Sequence, residues 1–84
     1  MITAQVSVYP LATDDVGPII DRVIAVLRAS GLVIETNTMS TILAGEHEAV
    51  LSALRDASVA AMASGSAVMT ITLSNACPLP DQHA

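Results

Sequence analysis

Asn37, Thr38, Ser40 and Thr41 crowd into one short stretch of this sequence, and Ser74 with Asn75 closes a later one. Amides and hydroxyls donate and accept hydrogen bonds without formal charge, which suits recognition of a neutral heterocycle. Turn chemistry explains the same residues more simply, because Asn, Ser and Thr are common where a chain reverses. The more reactive groups are scattered. His47 and His83 lie far apart and Cys77 has no CxxC partner, so no metal set is expected. Cys77 also has no cation beside it in sequence to favour a reactive thiolate. The carboxylate pairs Asp14–Asp15 and Glu46/Glu48 could do acid–base work, but negative charge at a helix N-terminus accounts for both. No GxGxxG or GKS/T sequence is present to cradle phosphate. These residues point to a binding protein rather than an enzyme, with no cofactor.

Composition narrows the partners. The chain has 84 residues and a net charge of −5, with eight acidic side chains against three basic ones. Nucleic-acid binding needs several Lys or Arg to displace counterions, and here there is no lysine at all. Nucleic acid and anionic membrane surfaces are therefore excluded as expected partners. The sequence at residues 1–10 has no basic run and alternates polar with apolar residues, so it does not read as a signal peptide. No charged residue occurs between Asp56 and Asp81, but hydroxyls, Gly65 and Pro78 interrupt that stretch, and it reads as helix end, turn and strand. A cytoplasmic location is the expectation. Tyr9 is the only aromatic residue, so the core must come from Ile, Leu, Val, Met and Ala. A short chain with a thin core is expected to gain stability from other copies of itself.

The elements that must position the polar residues follow from periodicity. Residues 2–9 alternate, with Ile2, Ala4, Val6 and Val8 opposite Thr3, Gln5, Ser7 and Tyr9, which predicts a half-buried strand stopped by Pro10. Thr13, Asp14 and Asp15 are placed to cap a helix, and Val16, Ile19, Ile20, Val23, Ile24 and Leu27 form its apolar stripe. Gly31 is placed to end it in a left-handed conformation. Strands are expected over 32–36 and 41–44, joined by a reversal at 37–40, with Gly45 breaking the pattern. A second helix is expected over 46–63, with Val50, Leu54, Ala57 and Ala61 inward, and a last strand over 68–74. The order is βαββαβ, an α+β domain with two helices on one face of a four-stranded antiparallel sheet. The opposite face carries Thr3, Gln5, Ser7, Tyr9, Thr70, Thr72 and Ser74, a hydroxyl-rich surface where subunit contacts and ligand are expected.

Three stretches, QVSVYPLATDD, TMSTILAGE and VMTITLSNACP, occur in the order and spacing of a known family. They resemble the thiamine-binding protein family, the small YkoF-like or MTH1187-like proteins. The most specific part is a strand ending in Tyr9-Pro10, followed by a helix and a Met39-Ser40-Thr41 hairpin leading to Gly45-Glu46. The resemblance implies a ferredoxin-like fold over residues 1–78 with an irregular tail at 79–84. It also implies assembly into homodimers or homotetramers and binding of thiamine or its hydroxymethylpyrimidine moiety. On that basis the expected ligand residues are Gln5, Ser7, Asn37, Thr38, Met39, Ser40 and Thr41, with Tyr9 and Met39 available to stack on a ring. A structural or regulatory oligomer without a small-molecule ligand is the alternative.

Overall fold

A computed structural model of the chain describes residues 1–11, 13–37 and 40–76. The element order is β1 (Ile2–Pro10), α1 (Gly17–Ala29), β2 (Val33–Thr36), β3 (Thr41–Gly45), α2 (His47–Met62) and β4 (Ala67–Ser74). The strands form one antiparallel sheet in the order β2-β3-β1-β4, the ferredoxin-like arrangement expected from the sequence. Thr38, Met39, Cys77 and the tail at 79–84 lie outside the described residues.

Register assigns the faces. Ala4 pairs with Leu43 and with Leu73, so these three point to the helical side. Gln5 pairs with Ile42 and Thr72, and Ile42 with Glu35, so that row points to the open side. The core lies between sheet and helices and is built from Ile2, Ala4, Val6, Val23, Leu27, Leu43, Val50 and Leu54 with Ala53, Ala57 and Ala61 of α2. Leu27, Leu43 and Val50 are fully buried, and each such side chain contributes about 1.5–3 kcal/mol relative to exposure.

Several local expectations change. Asp14 and Asp15 do not cap α1. Val16 is the N-cap, without a side-chain hydrogen bond, and no acidic residue falls in the first turn. Thr13 Oγ1 instead accepts the Asp15 N–H at 3.0 Å, a local turn that uses the oxygen the cap would have needed. Pro10 ends β1 as its last residue, opposite Ala67, and does not stop the strand one residue earlier. Gly45 does not break the pattern either. It completes β3 opposite Ile2, and a Cβ there would sit 2.4 Å from Leu32 Cδ2, so glycine leaves room for the Leu32 side chain. Gly31 has φ +78° directly after the Ser30 C-cap, as a left-handed helix end requires.

The apolar face of β4 is only partly covered. Ile71 and Leu73 point to the helical side, yet they remain 42% and 46% exposed. α2 follows β3 and returns to β4 across β1, so the outer edge strand extends beyond its shelter.

Candidate functional site

The reversal between β2 and β3 is held by its own side chain. Asn37 N–H donates to the Ser40 carbonyl at 2.9 Å, and Ser40 N–H donates to Asn37 Oδ1 at 2.9 Å. An Asn side chain can stand in for a backbone acceptor in this way, so the turn forms without an Asn-Gly pair. The Ser40 hydroxyl accepts a hydrogen bond from Gln5 Nε2 at 3.1 Å, which ties the hairpin to β1 on the open face. On the helical face, Thr36 Oγ1 and Thr41 Oγ1 meet at 3.3 Å. Thr41 is a buried polar residue of the core layer, and this contact satisfies it.

Beside this hairpin lies a cavity of about 250 Å³. One wall is α1, through Ile20, Val23, Ile24 and Leu27, and the floor is β1 from Val6 to Tyr9. The rim is Thr36, Asn37, Ser40 and Thr41. Among the described residues, no charged side chain lines it. The space is apolar on one side and rich in uncharged donors and acceptors on the other, a combination that orients a small heterocycle. A second cavity, about 300 Å³, sits where the start of α1 meets the end of α2, lined by Thr13, Asp15, Ile19, Ala61, Ser64 and Gly65. It lacks a comparable apolar wall.

Of the residues expected at the site, Ser7, Asn37, Ser40 and Thr41 border the first cavity, as does Tyr9. Gln5 stands behind it and holds Ser40. The cavity lies between α1 and the Asn37–Thr41 hairpin, one of the two places where ligand was expected, the other being the open sheet face. Sequence reasoning placed α1 only as core. The usable signal was the width of its stripe: Ile19, Val23 and Leu27 are buried, whereas Ile20 and Ile24 are left half-buried. His47 is exposed in the first turn of α2, and the described residues contain no cluster of three or more His, Cys, Asp or Glu that could hold a metal. Among those residues no helix is long and apolar enough to cross a membrane.

The sequence profile of the thiamine-binding proteins matches residues 4–74, a span that runs from β1 to the end of β4 and includes the hairpin and α1. The chain belongs to the thiamine-binding protein family. Proteins of known structure share its fold. A domain of unknown function (DUF77) from Bacillus cereus is 30% identical, with a TM-score of 0.77 over 87% of this chain and 73% of that one. A protein from Methanocaldococcus jannascii is 26% identical, with a TM-score of 0.81 over 88% of this chain and 78% of its own. A protein from Thermotoga maritima, provisionally assigned to thiamine biosynthesis or salvage, is 21% identical, with a TM-score of 0.78 over 87% and 81% of the two chains. No curated protein sequence matches the chain.

Proposed function

We propose that this chain is a non-enzymatic binding protein for thiamine or its hydroxymethylpyrimidine moiety, working as a homo-oligomer in the cytoplasm. The observation that carries the reading is the pairing, in one cavity, of the apolar α1 wall with the uncharged Asn37–Ser40–Thr41 rim. An aminopyrimidine presents a flat apolar body and an edge of donors and acceptors. The ring would lie against Ile20 and Ile24, with its edge at the Asn37 amide and the Thr36–Thr41 hydroxyl pair. Gln5 would act through Ser40, and Thr38 and Met39 complete the proposed set at the hairpin. The binding domain is taken as residues 1–78, with 79–84 as a tail. Family membership favours binding over catalysis.

A partner copy would complete the unit. The cavity is slightly smaller than the roughly 300–1,000 Å³ usual for ligand pockets, which is consistent with a second subunit closing it. β4 supports self-association. It is an eight-residue edge strand without a charge or proline, with Val68, Ile71 and Leu73 each more than two-fifths exposed. Such an edge lacks the usual devices that keep strands from pairing.

Calorimetry and thermal melts with thiamine and with hydroxymethylpyrimidine test the ligand. Saturable heat and a rise in Tm are expected, because a ligand that binds only the folded state stabilises it. No heat and no shift at millimolar ligand would leave the assembly-only alternative. Sedimentation tests the oligomer: the wild type should exceed the monomer mass, and Ile71→Lys should shift it toward monomer.

A further inference from the structure

We propose that residues 77–84 lie across one end of the open sheet face, with Leu79 seated over Ala44; this goes beyond the binding reading and does not depend on it. The observation is a gradient of burial on the side away from the helices. Val33, Ala44, Thr3 and Ser74 form one cross-strand row on that face, at the start of β1. Ala44 is 1% exposed, and the other three are half-buried. The Thr3 hydroxyl oxygen is buried and has no hydrogen-bond partner among the described residues, although a buried hydroxyl normally has one. In the next row inward, Glu35, Gln5 and Thr72 are exposed and only Ile42 is half-buried. The end row of an uncovered sheet should be the more exposed of the two. Here it is the less exposed, so this end of the face carries a cover.

The described residues do not supply that cover. At this end, the links from α1 into β2 and from β3 into α2 both lead to the helical side. Leu32 lies there beside Gly45, which pairs with the core residue Ile2. Met1 is 62% exposed, and Asn75 and Ala76 are exposed as well. The β2–β3 reversal and the chain after β1 lie at the opposite end of the sheet, beyond the Thr36–Thr41 and Pro10–Ala67 pairs. Residues 77–84 start from the right corner. β4 ends at Ser74 opposite Thr3, and the Ala76 N–H donates to Ser74 Oγ at 3.0 Å, which holds the chain beside the covered row.

The sequence of that segment, CPLPDQHA, fits the surface. Its prolines favour an extended chain that rises about 3.1 Å per residue, which puts Leu79 about 9 Å beyond Ala76. Two strand spacings, from β4 across β1 to β3, are about 10 Å. Leu79 is the one large aliphatic side chain of the segment, and it therefore reaches Ala44, whose short side chain leaves a pit between Val33 and Thr3. Pro78 and Pro80 bring no N–H onto this row, so the contact strands no proline donor. A segment seated here closes this end of the open face to a second copy and leaves the edge of β4 as the surface for self-association.

NMR on the full chain, without ligand, tests this. Nuclear Overhauser contacts are expected between the Ala44 methyl and the Leu79 methyls within one chain. Leu79→Ser should remove them and lower Tm by about 4 °C or more, because an apolar contact is lost from a small domain. A mixture of isotope-labelled and unlabelled chains separates the possible occupants. Contacts to Ala44 that run between copies overturn the proposal. So does a Leu79 without contact to Ala44, or a Leu79→Ser protein that melts with the wild type.

Discussion

The two helices lie on one face of the same sheet but at different closeness to it. α2 turns Val50, Ala53, Leu54, Ala57 and Ala61 inward, and its backbone comes close to β1, β3 and β4. α1 turns Ile19, Val23 and Leu27 inward with Ile20 and Ile24 at the flank, and its closest backbone approach is to α2 rather than to any strand. Three alanines let one helix settle; branched side chains hold the other off. The unfilled space under α1 is the cavity beside the hairpin. Packing that looks equivalent in an apolar pattern thus yields a solid seam under one helix and a cavity under the other.

That contrast can be broken by adding volume on each side. Ala57 is fully buried, and Ala57→Leu should lower stability by about 1–3 kcal/mol in urea unfolding, because the seam has no room for it. Loss of the Asn37 side chain should rank second. Asn37→Ala removes the acceptor of the Ser40 N–H and should cost about 1 kcal/mol, with weaker thiamine binding in calorimetry. Ile24→Phe should have the smallest effect on stability, under about 1 kcal/mol, since the added ring enters existing space. It should nevertheless abolish the ligand-induced rise in Tm. An Ile24→Phe protein as unstable as Ala57→Leu would mean that the α1 side is as tightly packed as the α2 side.

The elements were readable because each has a clear period. Alternation in β1 and β4 and the three-four spacing in α1 and α2 survive almost unchanged in the structure. The discrepancies sit where one residue has two uses. Thr13, Asp14 and Asp15 have the composition of a cap, but Thr13 closes a local turn and the helix starts at Gly17. Gly45 has the composition of a breaker, but its lack of Cβ serves a close approach to Leu32. At the candidate site, the polar rim was readable at Asn37, Ser40 and Thr41, because amides and hydroxyls gathered at a reversal stand out from the apolar alternation on either side of it. The α1 wall was not, because an isoleucine facing a core and an isoleucine facing a cavity look the same in sequence.

By itself, the sequence determined the order βαββαβ, which side chains share a face, and the acidic, lysine-free character of the chain. Those properties are local or additive, and they follow from backbone period and composition. Only the tertiary structure decided that the concave space lies under α1 on the helical side, and that Ile71 and Leu73 of β4 stay exposed beyond α2. Periodicity says which face of an element is apolar. It does not say how far away the neighbouring element stands, and that distance is set by the sizes of side chains remote in sequence.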